Sequence, residues 1–408
     1  MPNKAVFLDR DCTILEDGLY CSNPGDIKLV PDVADCLNSL HDSGYLVILI
    51  TNQSGTDRRC FSEDDHKIIH NKMLADLSHG GATIDNIYCC PHHPAEDCDC
   101  LKPDNGMIKQ AIGEYSIDVG NSFFIGDKCP AIESAVRAGL KTVLVPSSFP
   151  EFEELPKYRD ASSGQIDFVS NDFCDAVRWI ISNSSRADDL SIIVPTMNEE
   201  QNLPHVLPYL PRDAEIIIVD GHSSDKTIEV AKKLRPDAVI LVQPGRGKGN
   251  AMRYGFKHAT RDLIITYDGD GSFRTEEIDP MLNSLRDGFD LVKGSRFLPN
   301  GGTNDMPFLR RVGNRGFTML TNLFFGTHYT DLVYGLHGFR RELLDKVEFV
   351  SDGFEIDTEM YIKTKINGYK VKEVPSFEQE RIHGVGKLST LSDGWRILKT
   401  ILRVRFSA

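Results

Sequence analysis

The chain has 408 residues, of which 26% are charged, with a formal net charge of -14. That length exceeds what one hydrophobic core usually serves and predicts two domains, while the acidic balance excludes a general nucleic-acid binder and leaves anionic substrates to metal ions. Without a signal-peptide core or an apolar run near the roughly 18 to 20 residues that span a bilayer, the expected location is the cytoplasm.

In chain order, the first apolar run, Ala5 to Leu8, ends in Asp9-Arg10-Asp11-Cys12-Thr13. A short buried strand that delivers two carboxylates at its end suits phosphoryl chemistry: Asp9 can attack phosphorus, and Asp11 can protonate the leaving oxygen and later activate water. A second run, Leu46 to Ile50, ends in Thr51-Asn52-Gln53-Ser54-Gly55, which offers donors to phosphoryl oxygens. Lys102 would set a cation beside the transferred group. A further run, Phe123 to Ile125, ends in Gly126-Asp127-Lys128, with Asp127 as a ligand for Mg²⁺ and Lys128 near the substrate.

The order Asp-x-Asp, Thr, Lys, Gly-Asp resembles the haloacid dehalogenase superfamily over about residues 4 to 146. The Asp9-Arg10-Asp11 and Thr51 to Gly55 motifs, with Arg58 and Phe61, are similar to its histidinol phosphatase and heptose bisphosphate phosphatase branch. That resemblance implies a Rossmann-like phosphatase domain acting on a sugar phosphate, Mg²⁺ held by Asp9, Asp11 and Asp127, and Arg58 gripping a substrate phosphate. It also implies a zinc loop. Cys90, His92, Cys98 and Cys100, spaced C-x-H-x5-C-x-C, supply three thiolates and an imidazole, enough to close a structural Zn²⁺ site, with Cys89 and His93 as substitutes. Two positions depart from the pattern: Cys12 stands where the family usually has glycine, and Ala131 where many members have an acid. A silenced scaffold domain is the alternative that they raise.

All ten cysteines lie between Cys12 and Cys174, and with no export signal they mark a boundary more than a disulfide framework. The polar stretch 183–189 reads as a linker between domains 1–182 and 190–408. Both halves alternate apolar runs with helical periodicity, so the fold class expected is α/β, with two doubly wound domains.

The second half restarts with Ser191 to Pro195, a buried strand followed by Thr196-Met197-Asn198-Glu199. Ile216 to Val219 leads to Asp220, a carboxylate suited to a ribose or nucleobase. Gly245-Arg246-Gly247-Lys248-Gly249-Asn250 opens a helix where backbone amides and Lys248 can meet phosphate. Leu263 to Tyr267 then delivers Asp268-Gly269-Asp270, two carboxylates able to share Mg²⁺ or Mn²⁺ on a diphosphate leaving group. With Pro195, Asn198, Glu199, Gly294-Ser295-Arg296 and Thr330-Asp331, these segments resemble the inverting family 2 glycosyltransferases over about residues 190 to 385. The similarity is greatest to dolichyl or polyprenyl phosphate mannosyltransferases, through Arg296-Phe297, the helix from Glu355 to Glu359, and Arg381-x-x-Gly384-x-Gly386-Lys387-Leu388. It implies a GT-A-type nucleotide-sugar domain.

The acceptor stays open between two classes. A polyprenyl phosphate attacks already ionised, held by Arg381 and Lys387, whereas a glycan hydroxyl needs a general base, either Asp331 or an acid of the 355–359 helix. From Leu388 onward, Leu391, Trp395, Leu398 and Leu402 share a helical face near Arg396, Lys399, Arg403 and Arg405, which reads as peripheral contact with the inner membrane face or as a helix packed on its own domain.

Overall fold

The computed structural model describes residues 2–16, 28–52, 63–92, 98–145, 166–184, 187–384, 386 and 390–406. The chain divides into two compact units, Met1–Ile181 and Ser182–Ala408.

The first unit carries strands β1 (Lys4–Leu8), β2 (Tyr45–Asn52), β3 (Asn86–Cys90), β4 (Phe123–Gly126), β5 (Lys141–Leu144) and β6 (Phe168–Val169). Its helices are α1 (Val33–Asp42), α2 (Glu63–His79), α3 (Gly106–Tyr115), α4 (Cys129–Ala138) and α5 (Phe173–Ser182). The strands form one parallel sheet in the order β3-β2-β1-β4-β5-β6. The chain winds outward from β1 to β3 and resumes on the other side at β4, so the strand order reverses between β1 and β4. The crevice at such a reversal, beyond the carboxyl ends of the strands, is where ligands bind in open α/β sheets. β1 is buried on both faces, as its unbroken apolar sequence requires.

Cys36 of α1 and Cys174 of α5 are joined by a disulfide with their Cα atoms 5.7 Å apart. This corrects the expectation that the cysteines form no disulfide: the pair is 138 residues apart in sequence, and only the packing of the two helices brings it together.

The second unit contains β7 (Leu190–Thr196), β8 (Glu215–Asp220), β9 (Val239–Val242), β10 (Leu263–Thr266), β11 (Leu291–Ser295), β12 (Gly302–Thr303), β13 (His337–Arg340), β14 (Val371–Pro375) and β15 (Phe377–Glu378). Its helices are α6 (Thr227–Leu234), α7 (Lys248–His258), α8 (Ile278–Arg286), α9 (Phe308–Phe325), α10 (Glu355–Ile366) and α11 (Thr390–Phe406). A seven-stranded sheet runs β14-β11-β13-β10-β7-β8-β9, and β12 pairs with β15 separately. The large sheet is not wholly parallel, because β13 is inserted antiparallel between β10 and β11. Here the order reverses between β7 and β10, which again marks a crevice at the strand ends.

The stretch 183–189 is not a free tether over its described residues. Ala187 is fully buried in the second core, and Asp189 pairs with Arg286 at 2.7 Å. Among the described residues, no helix is long and apolar enough to cross a membrane.

Candidate active sites

In the first unit the β1 ladder continues past its last strand residue: the Asp9 N–H donates to the carbonyl of Ile125 at 2.9 Å, which places Asp9 at the β1/β4 crevice. Its Oδ2 lies 2.7 Å from Lys102 Nζ, and its Oδ1 accepts the Arg10 N–H at 2.8 Å. Lys102 is itself held, donating from Nζ to the Ile50 carbonyl and from its backbone to Asn52 Oδ1. Asp11 accepts from Arg10 Nε at 2.9 Å and Nη2 at 3.1 Å, a fork that sets the carboxylate's orientation while the side chain stays 30% exposed.

Asp127, just after β4, is buried, and neither carboxylate oxygen has a hydrogen-bond partner among the described residues; the same holds for the Thr51 hydroxyl. Burial, then the nearby Asp9 charge, pushes Asp127 up to about 7, against the opposing pull of Lys128. The bare, buried oxygens of Asp127 beside the Asp9 charge are what a hard divalent cation satisfies, so these two residues fit Mg²⁺. Because the folded-state value lies above the usual 3.8, the folded protein binds the extra proton, and the associated stability is lost as pH rises toward 7. Asp127→Asn is therefore expected to raise the melting temperature of metal-free protein at pH 8 and to have little effect at pH 4, readable by scanning calorimetry. An equal shift at both pH values would contradict the crowding.

Cys12, the first departure from the expected pattern, has φ 57, in the left-handed region where glycine is preferred. The turn therefore keeps its shape with a cysteine in it. Ala131, the second, is buried in the first turns of α4 and packs in the core, so it contributes no ligand. Arg58 and His93 lie outside the described residues.

Cys90 at the end of β3 meets His92, Cys98 and Cys100, their ligand atoms all within 4.8 Å of one another. Five of the six separations run from 3.1 Å (Cys90 to Cys100) to 3.9 Å (Cys90 to Cys98). Ligands about 2.3 Å from a tetrahedral Zn²⁺ stand roughly 3.8 Å apart, so the quartet has the dimensions of a zinc tetrahedron. Burial and the adjoining thiols push Cys100 up to about 12, so this thiol resists ionisation without a cation, whereas at Cys98 burial is outweighed by hydrogen bonds from the Leu101 backbone and from Cys100, which hold it below its ordinary value. Lys102 follows two residues after Cys100, which ties the loop to the phosphoryl site. Arg10 and Ile50, absent from the sequence-based set, complete this site; Arg10 is visible in the sequence only as the residue between two aspartates.

In the second unit a cavity of about 660 Å³ opens at the β7/β10 crevice. Pro195, Glu199, Lys248, Asp268, Asp270, Arg296 and Arg381, all singled out from sequence, line it. The acidic groups are neutralised by the chain's own cations: Lys248 Nζ is 2.8 Å from Asp268 Oδ2, while Arg381 reaches Asp270 Oδ2 at 3.0 Å and pairs with Glu199. This oxygen donor set suits Mg²⁺ or Mn²⁺. The glycines of the 245–249 run serve close packing, since a Cβ on Gly247 would come 2.3 Å from the Asp352 carbonyl. Gly335 similarly admits the Lys248 ammonium, 2.4 Å from where a Cβ would stand.

Asp220 and Asn198 shape the turn beside the cavity without lining it. Asp220 is buried and accepts from the Ser223 N–H at 2.9 Å and the Ser223 hydroxyl, and Asn198 Oδ1 accepts from Ser224 N–H at 2.8 Å. The neighbouring Gly221 and Gln243 face the cavity instead, and Gln243 Oε1 is buried with no hydrogen-bond partner among the described residues. Sequence reading missed Gln243, which follows β9 and stands just outside the glycine-rich run that begins at Gly245. Lys387 lies outside the described residues.

The expectation that Asp331 is a base is corrected by its surroundings. It is fully buried, does not line the cavity, and accepts from Arg296 Nε at 2.7 Å, Arg296 Nη2 at 3.0 Å and Asn314 Nδ2 at 2.7 Å. Burial opposes ionisation, but the Arg296 guanidinium overcomes it and holds Asp331 below its ordinary value. Such a carboxylate positions Arg296 and has no free face for a substrate proton. Asp331→Ala is expected to destabilise the unit by about 3 kcal/mol, measured by denaturant titration, because Arg296 would lose its buried partner. Loss of kcat at full stability would restore the base role.

Asp357 of α10 instead meets the cavity. Burial foremost, with Asp268 adding repulsion against the pull of Lys248, raises its carboxyl to about 7. His337 Nδ1 lies 3.7 Å from Asp357 Oδ1, on a ring that burial and then the nearby Lys248 hold well below its ordinary value and so keep neutral. Lys293, fully buried, pairs with Glu373 at 2.7 Å and lies 4.7 Å from the Tyr361 ring centre; its one trace in the sequence is a cation inside an apolar strand.

Two strand-end carboxylate sites, each in its own α/β unit, define an enzyme with two catalytic centres. Residues 191–348 match Glycosyl transferase family 2, and residues 99–176 match the HAD-hydrolase-like family. The D-glycero-beta-D-manno-heptose-1,7-bisphosphate 7-phosphatase of Haemophilus influenzae is 38% identical over 183 residues, covering 43% of this chain and 96% of that protein. A dolichyl-phosphate hexose transferase of Haloferax volcanii is 34% identical over 221 residues, covering 53% of this chain and 94% of that protein. A solved D,D-heptose 1.7-bisphosphate phosphatase from B. bronchiseptica, complexed with magnesium and phosphate, aligns with 44% of this chain and 98% of its own at 26% identity and a TM-score of 0.38. The chain therefore belongs to the HAD-like phosphatases through its first unit and to the family 2 glycosyltransferases through its second.

Proposed function

We propose that the first unit removes a phosphate from a sugar phosphate of the heptose bisphosphate class, and that the second moves a sugar from a nucleotide sugar to a polyprenyl phosphate. In the first, Asp9 attacks phosphorus, the bond to the sugar oxygen breaks, and Asp11 gives that oxygen a proton. Water deprotonated by Asp11 then releases phosphate from Asp9, while Thr51, Asn52, Lys102, Lys128 and Arg58 steady the phosphoryl oxygens. Mg²⁺, held by Asp9, Asp11 and Asp127, would neutralise charge on the phosphoryl group.

In the second, an acceptor phosphate oxygen attacks the anomeric carbon as the bond to the diphosphate breaks, and nucleoside diphosphate leaves. Lys248 faces the leaving group, Arg296, Arg381 and Lys387 the acceptor phosphate, and Pro195, Glu199 and Gln243 the nucleotide end, with Asn198 and Asp220 setting the turn beside it. Mg²⁺ or Mn²⁺ on Asp268 and Asp270 would supply charge neutralisation of the diphosphate.

The observation that carries the lipid reading is the cavity's apolar lining. Besides the carboxylates it includes Leu309, Val312, Phe317 and Ile397, side chains suited to an isoprenoid chain beside a phosphate. Nucleoside diphosphate release from a panel of nucleotide sugars, with and without polyprenyl phosphate in detergent, tests it. Release with one donor only when lipid is present is expected; equal release without lipid would overturn it.

A second reading rests on Asp357, a carboxyl near 7 facing the cavity, which could serve as base for a glycan hydroxyl. In that case transfer to a saccharide would rise with pH through about 7 and disappear in Asp357→Asn.

Zinc in the Cys90, His92, Cys98 and Cys100 quartet would fix the loop leading to Lys102. Cys98→Ser, or removal of zinc by a strong chelator followed by Mg²⁺ repletion, is expected to lower phosphatase kcat/KM roughly 10- to 100-fold, the range for loss of a supporting shell, with transferase activity unchanged. Full phosphatase activity in metal-analysed, zinc-free protein would contradict it.

The reading places both activities on the cytoplasmic side, where sugar phosphates and nucleotide sugars are found together.

A further inference from the structure

Eight of the sixteen exposed large hydrophobic side chains among the described residues belong to just two helices, α9 and α11. On α9, Phe308, Val312, Met319 and Leu323 recur at helical spacing along one stripe; Phe308 is 80% exposed and Leu323 75%. The helix already has its core face, through buried Asn314, Thr318 and Thr321, so the outer stripe is not needed for folding. α11 repeats the arrangement: Ile397, Ile401 and Val404 face inward, while Trp395, Leu402 and Phe406 face outward. The two helices lie side by side, with the rings of Phe324 and Phe406 6.5 Å apart. Leu398, which the sequence grouped with the outer face, is half-buried.

The charge on this surface opposes that of the chain. α9 carries Arg310, Arg311 and Arg315 with no acid, and α11 carries Arg396, Lys399, Arg403 and Arg405 against a single buried aspartate, Asp393, in a chain of net charge -14. Exposed apolar rows fringed by cations complement a surface that is apolar beneath and anionic above. A second copy of the same face would set arginines against arginines. The patch is also continuous with the cavity, since Leu309, Val312 and Phe317 of α9 and Gly394 and Ile397 of α11 line it.

We propose that the outward faces of α9 and α11 are a docking surface for an anionic lipid bilayer, which holds the cavity mouth at headgroup level. The inference rests on the lipid-phosphate reading of the second unit and adds the means by which that unit reaches such an acceptor.

Co-sedimentation of the full chain with vesicles of phosphatidylcholine, alone or mixed with phosphatidylglycerol, tests it. Binding is expected only with phosphatidylglycerol present, falling as salt rises. The double variant Arg311→Gln, Arg315→Gln should weaken partitioning roughly thirtyfold, at about fivefold per arginine. The triple variant Phe308→Ser, Met319→Ser, Leu323→Ser should reduce it to the phosphatidylcholine level. None of these five residues lines the cavity, so both variants should retain nucleoside diphosphate release with a short-chain polyprenyl phosphate in detergent. Wild-type protein that stays in the supernatant, or variants that sediment like wild type, would overturn the proposal. So would a dimer by light scattering that the triple variant dissociates while vesicles are ignored. Vesicle binding without lipid-dependent release supports docking and removes the acceptor reading instead.

Discussion

Asp9→Asn is expected to lower metal-dependent phosphate release roughly 10⁴-fold or more, the scale on which loss of a nucleophile acts, while leaving nucleoside diphosphate release by the second unit unchanged. The argument is positional. Asp9 is fixed at the β1/β4 crevice by its backbone bond to Ile125 and by the Lys102 ammonium at 2.7 Å. Asparagine keeps the shape and the Arg10 N–H contact but is a poor nucleophile toward phosphorus. Steady-state release from an aryl phosphate and from a sugar bisphosphate measures the loss; a variant retaining a tenth of wild-type activity would mean that Asp9 is not the nucleophile. Cys12→Gly is the matching control, because glycine accepts φ 57 without strain.

Asp268→Asn should reduce sugar transfer about 10³-fold, as expected when the ligand of a charge-neutralising cation is lost at a diphosphate leaving group. Without a cation, Asp268 is paired with Lys248 and Asp270 with Arg381, so the chain holds its own counter-charges where a divalent ion and an anionic substrate would bind. The asparagine variant removes one carboxylate and frees Lys248 from its partner. Phosphatase activity should be unaffected. Mn²⁺ affinity, followed by electron paramagnetic resonance, should fall in parallel with transfer; unchanged affinity would move the metal site elsewhere.

Much of both sites is legible in the sequence because the chemistry sits at the ends of short apolar runs. Asp9, Asp127, Asp268 and Asp270 each follow a buried strand and Thr51 is the penultimate residue of one, and parallel strands carry every such end to one edge. What was not legible depends on contacts distant in sequence. Arg296 and Asp331 are 35 residues apart and Asn314 lies between them on α9, so a carboxylate that resembles a base in a motif proves to be the buried anchor of an arginine. Asp220 resembles a ligand by the same logic but turns onto Ser223, which leaves Gln243 on the cavity wall. β13 is four residues long with no periodicity of its own, and nothing local reveals that it enters the sheet antiparallel. The Cys36–Cys174 bond is hidden for the same reason.

The outward row of α11 illustrates a different limit. Its apolar periodicity could be read from sequence, but periodicity does not say which face meets the core. Ile397, Ile401 and Val404 take that role and leave Trp395 67% exposed.

The most direct test of the account is the fate of a radiolabelled sugar, supplied as its nucleotide sugar with Mn²⁺ and polyprenyl phosphate, partitioned between organic and aqueous phases after incubation with the full chain. Label moving into the organic phase as an acid-labile lipid phosphate sugar, abolished in Asp268→Asn and preserved in Asp9→Asn, is the predicted result. Label that stays aqueous with lipid present but enters a saccharide acceptor, and depends on Asp357, would contradict the lipid-phosphate assignment.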